Sequence, residues 1–170
     1  MAAGKTYQPI ATQTLGSAAA SVTFSSIPQG YTDLILVCSP VSTTGINTYM
    51  TLQYNGDTGA NYSSTIVRGN GSTQSSVRLT NITVAYICYS QEVPTVAGRT
   101  TVITQFQNYS NSTTYKTTLT RNNDASQITE AIVSLWRNTA PITSITIDMD
   151  ASGSVIATGS TFTLYGIAAA

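Results

Sequence analysis

The sequence predicts an all-β chain: a two-sheet antiparallel β-sandwich or jelly roll of about ten strands behind a short N-terminal arm. Three observations carry that expectation. Ser and Thr supply 50 of the 170 residues, and with Val, Ile and Tyr they favour pleated, half-buried surfaces. Short runs of alternating polarity recur every ~10–15 residues, punctuated by Gly, Pro, Asn and Asp, which is the rhythm of a sandwich. Lys, Arg, Asp and Glu make up only 8% of the chain, against about 25% in ordinary soluble domains. Polarity therefore rests on hydroxyls and amides.

Taken in order, residues 1–8 read as a flexible arm, small and polar, with Tyr7 as its main large apolar group. Residues 9–170 read as one domain, long enough to bury a core without staples. Pro9 to Leu15 suits an edge strand, because proline lacks the N–H that an inner strand must donate. Ser21 to Ser25 alternates cleanly and sends Val22 and Phe24 inward. Pro28-Gln29-Gly30 turns the chain. Asp33 to Cys38 is the most hydrophobic run and reads as a strand covered on both faces.

Thr48 to Tyr54 places Met50, Leu52 and Tyr54 on one side. Asn55-Gly56-Asp57 and then Gly59 supply residues that tolerate positive φ, so a bulged turn is expected before the run Tyr62 to Val67. Neither a helical pattern nor a Lys-Ser/Thr pair follows these glycines, so nothing there suggests a phosphate cradle. Ser76 to Leu79 and Thr83 to Tyr89 are further strands. Thr100 to Tyr109 and Thr114 to Thr120 form an expected hairpin, with Arg121-Asn122-Asn123-Asp124 as a loop. Ile128 to Arg137 fits one helix face through Ile128, Ala131, Ile132, Leu135 and Trp136, and it also fits a strand. The all-β surroundings favour the strand. Ile145, Ile147 and Met149 alternate inward against Thr146 and Asp148, and Thr161 to Ile167 closes the domain.

Charge and composition exclude several functions. Seven cations balance seven anions, and no basic stripe offers a footprint for nucleic acid. Met1 to Pro9 holds one Lys and no apolar segment, so no signal peptide is expected. No run approaches membrane-spanning length. Synthesis and folding in a cytosol follow as the expectation. A surface this poor in charge gives little protection against self-association. Burying hydroxyls and amides against a partner also avoids the costlier desolvation of charges.

The chain has no histidine, which removes Ser-His-Asp and Cys-His nucleophile systems and His-containing zinc sites. Its carboxylates are Asp33, Asp57, Glu92, Asp124, Glu130, Asp148 and Asp150, and no spacing singles out an acid/base pair. No enzymatic activity and no cofactor are expected. Cys38 and Cys88 both lie in apolar runs and read as two core thiols, with a bridge between strands left open. Asp148-Met149-Asp150-Ala151-Ser152-Gly153 resembles the first half of a calcium loop, making Asp148, Asp150 and Ser152 a weak metal candidate. Gly159 stands where the bidentate Glu belongs, and hairpin-turn chemistry explains the same residues. Five N-x-S/T sequons, at Asn61, Asn70, Asn81, Asn108 and Asn111, are expected by chance in so hydroxyl-rich a chain. The tyrosines fit either a sugar platform or core and interface positions, and both readings stay open for Tyr49, Tyr54, Tyr109 and Tyr115.

Three phrases carry a resemblance. They are Ser21-Val22-Thr23-Phe24-Ser25-Ser26-Ile27-Pro28 with Tyr31-Thr32-Asp33-Leu34, then Asn55-Gly56-Asp57-Thr58-Gly59 with Asn61-Tyr62-Ser63, and the closing Phe162-Thr163-Leu164-Tyr165-Gly166-Ile167. In order and spacing they resemble short β-rich virion proteins of tailed bacteriophages, cyanophages included. Such proteins occur as capsid decoration (cement) proteins and as tail-fibre or receptor-binding domains. The resemblance implies a sandwich that forms a homotrimer on the phage particle, assembled in the host cytoplasm, with the major capsid protein as partner. A host surface glycan is the partner on the receptor-binding alternative. No catalytic residue transfers. An arm with no shaft suits a cement protein, and Lys5, Tyr7, Pro9, Tyr49, Tyr54, Tyr109 and Tyr115 are the expected interface residues.

Overall fold

The computed structural model describes residues 6–44, 48–89, 93–95, 97, 100–149 and 154–168. The described residues form twelve strands: β1 (Tyr7–Thr14), β2 (Ser21–Phe24), β3 (Asp33–Ser39), β4 (Met50–Tyr54), β5 (Tyr62–Gly69), β6 (Gln74–Ile82), β7 (Ala85–Cys88), β8 (Thr100–Gln107), β9 (Lys116–Asp124), β10 (Ile128–Trp136), β11 (Ile145–Met149) and β12 (Thr161–Ile167). They pair into a large sheet of eight, in the order β1-β12-β3-β8-β9-β10-β5-β6, and a small sheet of four, in the order β2-β11-β4-β7. Every pairing is antiparallel. The expected two-sheet sandwich is the fold, with two more strands than expected.

One face of each sheet makes the core. Val22, Phe24, Leu52, Ile145 and Ile147 of the small sheet are buried opposite Leu34, Leu36, Val102, Phe106, Phe162 and Leu164 of the large one. The alternation of β2, β11 and β12 does what period-2 patterning requires, and β4 buries Met50, Leu52 and Tyr54 together with Thr51. Ile128–Trp136 is a strand throughout, because its two neighbours β5 and β9 satisfy its backbone along the full length. Gly166 serves close packing: a Cβ there would run into the Tyr31 ring, which lies over β12.

Several boundaries differ from expectation for physical reasons. Tyr7 and Gln8 belong to β1 rather than to an arm, since they pair with Ile167 and Gly166 at the sheet edge. Pro9 is on that edge strand as expected, next to a bulge. Arg121 to Asp124 is not a loop. It completes β9, pairing with Ile103 to Thr100 on one side and Ala131 to Ile128 on the other, and the turn is deferred to Ala125-Ser126-Gln127. β3 is covered on one face only. Leu34, Leu36 and Cys38 are fully buried, whereas Ile35 and Val37 face outward and are half-buried. Positive φ occurs at Asn55 and Gly56, not at Gly59, where a side chain would instead collide with Asn61. Cys38 and Cys88 are both buried and not joined in a disulfide, and desolvation pushes the Cys38 thiol far above its ordinary value.

Two outcomes follow from which residue faces which way. Leu36→Ala should lower the unfolding free energy by ~2–5 kcal/mol through transfer and cavity effects. Leu119→Ala, on the outward side of β9, should cost about 0.5 kcal/mol or less. Denaturant midpoints compare the two, and equal losses would mean that the large sheet is turned over. Cys38 should react with a thiol reagent only at the rate of global unfolding.

Candidate functional site

The large sheet has an unusual distribution of polarity. On β9 the inward positions are Lys116, Thr118, Thr120, Asn122 and Asp124, all buried, while Leu119 and Arg121 point out. β5 and β10 repeat the theme, with Ser64, Glu130 and Ser134 inside and Val67, Ala131 and Val133 exposed. Buried polar groups require partners, and several of these bond across strands, although Thr118 Oγ1, Asn122 Oδ1 and Glu130 Oε1 have no hydrogen-bond partner among the described residues. Thr104 and Thr120 hydroxyls meet at 2.9 Å, Ser64 and Ser134 at 2.8 Å, and Asn122 Nδ2 donates to Glu130 Oε2 at 2.9 Å.

The same groups complete β7, the edge strand of the small sheet. Asn122 Nδ2 donates to the Ile87 carbonyl at 2.7 Å, and Ser134 Oγ to the Tyr86 carbonyl at 3.2 Å. In return the Tyr86 N–H reaches Ser64 Oγ at 3.3 Å, and the Tyr89 N–H reaches Glu130 Oε2 at 2.9 Å. An edge strand exposes unpaired backbone groups, and inward side chains of the opposite sheet satisfy those of β7. Lys116 is held in a comparable way. Its Nζ donates to the carbonyls of Thr114 at 2.7 Å and Thr139 at 2.9 Å, and desolvation lowers its pKa.

What remains outside is apolar. Cross-strand register aligns Tyr165, Ile35, Gln105, Leu119, Val133 and Thr65 in one row over the large sheet. Val37, Ile103, Arg121, Ala131 and Val67 form the next row. Leu119 is 47%, Val133 51% and Val67 55% exposed. A shallow depression of about 380 Å³ lies between Tyr7, Ile35, Ile103, Gln105, Leu119 and Arg121. Chemically this surface can bind by apolar contact and hydroxyl hydrogen bonding, and it assembles no acid/base or nucleophile pair.

The Tyr54–Tyr62 turn has a structural role. Asp57 accepts from the Trp136 indole N–H at 2.7 Å, from Asn61 Nδ2 at 2.9 Å and from the Gly59 N–H at 2.8 Å. Tyr62 Oη donates to the Asp57 carbonyl at 3.0 Å and accepts the Tyr54 N–H at 3.1 Å. Asn55 Oδ1 takes the N–H groups of Thr143 and Ser144 at 2.8 and 3.0 Å. Burial pulls the Asp57 carboxyl upward, but the Trp136, Asn61 and Gly59 donors outweigh it and hold it below the usual aspartate range. Desolvation raises the Tyr62 phenol to about 12. The turn is thus a corner clamp joining β4, β5 and β10.

Of the expected interface residues, Tyr7 and Tyr115 are exposed, at 58% and 55%. Tyr7 packs edge-on against Tyr165 with ring centres 6.3 Å apart, and Pro9 is exposed on the same strand. Tyr49 is half-buried, stacked on Tyr89 at 5.4 Å with Tyr86 edge-on at 5.9 Å, and Arg68 lies over the Tyr89 ring. Tyr54 and Tyr109 are corrections, since both are core. Tyr54 packs among Tyr62, Phe106 and Trp136, and the buried Tyr109 donates its hydroxyl to the Pro28 carbonyl. Lys5, Asp150 and Ser152 lie outside the described residues. Asp148 is exposed on β11 and accepts the Met149 N–H, and no group of three or more potential ligands gathers among the described residues. Three of the five sequon asparagines shape turns: Asn108 adopts positive φ, and Asn70 and Asn111 accept backbone N–H groups. Asn81, also at positive φ, sits at a bulge within β6. The outward apolar row was missed. Its signal was the phase of β9, where Leu119 alternates with threonines that the interior claims.

No protein-family model matches the chain, and no curated protein matches it. Among solved structures, the galectin LEC-6 of Caenorhabditis elegans is similar at 11% identity over 86% of this chain and 92% of that one, with a TM-score of 0.35. The alginate lyase Aly36B is similar at 9% identity over 86% and 78%, TM-score 0.27. The Eiger TNF of S. frugiperda is similar at 10% identity over 96% of both chains, TM-score 0.21. Likenesses this distant carry no weight for activity or partners.

The Asp57 clamp gives a pH signature. A carboxyl whose folded pKa is depressed contributes stability above its unfolded value, lost as pH falls through the folded one. Thermal stability should therefore drop below about pH 4, and Asp57→Asn should flatten that part of the profile while lowering the neutral-pH plateau. Trp136→Phe, which leaves Asp57 short of a donor, should cost about 1–3 kcal/mol. Melting curves from pH 2 to 7 read both effects, and an unchanged acid limb in Asp57→Asn would contradict the assignment.

Proposed function

We propose that this chain is a non-catalytic structural protein of a bacteriophage particle, a capsid decoration (cement) protein that binds the assembled shell as a homotrimer and stabilises it. The observation that carries this reading is the outward face of the large sheet, where Leu119, Val133 and Val67 stand exposed while Thr118, Thr120 and Ser134 on the same strands point inward. A face of that kind is at rest only when protein covers it. The low charge of the whole chain, 8% of residues, lets protein, a copy of this chain or the shell, cover it with little charge desolvation. Ligands that bind only the assembled state add their binding energy to its stability, which is how a cement protein protects a shell. The three resembling phrases supply the phage context: the strand-to-strand segment through Asp33, the Asp57 clamp and β12. The major capsid protein is the partner in this reading, and the outer capsid surface is the location.

A second reading has one specific observation in its favour. Tyr49, Tyr86 and Tyr89 cluster with ring centres 5.1–5.9 Å apart, and the Arg68 guanidinium lies 5.9 Å from the Tyr89 ring. Aromatic faces beside a cation suit a glycan, so a receptor-binding domain is the alternative.

Particle stoichiometry separates the two. A cement protein should be present in hundreds of copies, and stripping it should lower the temperature of genome release by several degrees. A dozen copies or fewer, with host-cell or glycan binding lost in Tyr89→Ala, would replace decoration by receptor binding.

A further inference from the structure

We propose that the outward face of the large sheet packs against a neighbouring copy of this chain, so that each contact of the homo-oligomer is held by the row through Ile35, Leu119 and Val133. This rests on the reading of the chain as an associating structural protein and names the surface that does it.

The dimensions fit. Eight strands at ~4.8 Å spacing, with ~17 Å of outward-facing strand length, give a face on the order of 700 Å². A stable protein–protein contact uses about 800 Å² per partner. Sheets pack through interdigitated apolar side chains at ~10 Å separation, and Leu119, Val133 and Val67, with Ile35 and Ile103 beside them, are the side chains that would meet the neighbouring copy.

Charge points to a like partner. Among the described residues, the outward positions of the paired rows carry Arg121 and Arg78 on one half of the sheet and Asp33 on the other. Two cations against one anion leave only a small positive excess, so the surface does not select a strongly charged partner. A copy of itself presents the same sparse mixture of both signs. The central strands contribute most: β9 and β10 are inner strands whose ladders are already complete, so the contact is made by side chains and not by strand addition. The depression bordered by Tyr7, Ile35, Leu119 and Arg121 offers a seat for one large apolar side chain of the neighbouring copy.

Sedimentation equilibrium of the full chain from about 1 to 100 μM, with light scattering as a second measure of mass, tests this. Wild type should be oligomeric across the upper part of that range. Leu119→Lys and Val133→Lys should each be monomeric while keeping the wild-type β-sheet circular dichroism, because both side chains point into solvent. Should a lysine variant fail to fold, Leu119→Thr with Val133→Thr keeps strand propensity and should weaken association at least tenfold. A wild-type monomer at 100 μM overturns the proposal, as do variants that fold and keep the wild-type mass. Binding to purified shells distinguishes the parent reading. An oligomer dissolved by these variants but without shell affinity supports this inference and removes the cement role. A monomer that binds shells through Leu119 does the reverse.

Discussion

The structure turns on how β7 is completed. As the edge of the small sheet it has a ladder partner on one side only, β4, and backbone groups left open there would be costly once buried. The large sheet provides the missing bonds from side chains: Ser64, Ser134, Asn122 and Glu130 reach the backbone of Tyr86, Ile87 and Tyr89. Those residues must then point inward, and the strict period of two sends their neighbours outward. A one-residue slip of β9 would bury Leu119 and Arg121, expel Asn122 and unpair the Thr104–Thr120 contact. Register is therefore set by polar pairs rather than by the largest apolar burial, and an apolar outer face is the consequence.

That inversion connects local chemistry to association. One part of the core, where β12, β3 and β8 meet the small sheet, follows ordinary hydrophobic burial with Leu34, Leu36, Phe106, Phe162 and Leu164 inside. The other part, under β7, is a hydroxyl and amide network capped by the aromatic group of Tyr54, Tyr62 and Trp136. Asp57 fastens the turn after β4 to the end of β10 through Trp136. The domain is thus held at its corner by one clamp and along β7 by side-chain bonds, and Leu119, Val133 and Val67 on the broad outer face take part in neither.

Much of this was legible in the residues. Strands with clean alternation, such as Ser21–Phe24, Ile145–Met149 and Thr161–Ile167, declare their inward side because apolar residues occupy it. The Asn55-Gly56 turn is equally plain, since few residues tolerate positive φ. Arg121 to Asp124 misled because Asn and Asp usually mark loops, whereas here Asn122 and Asp124 are buried. Tyr54 and Tyr109 illustrate the same limit from the apolar side. Tyrosine suits an interface and a core alike, and only the pairing of distant strands puts Tyr54 against Phe106 and Trp136. The outward row through Leu119 and Val133 depends on register between strands, which no local pattern encodes.

The most direct test compares side-chain solvent access in two states of the same protein. Hydroxyl-radical footprinting of Leu119, Val133 and Val67, read by mass spectrometry, should give strong labelling in the dilute chain. In the assembled particle the same residues should be protected, while exposed positions on the small sheet, such as Asp148, react alike in both. Equal labelling of Leu119 and Val133 in the two states would mean that the apolar face stays open to water, contradicting the account at its centre.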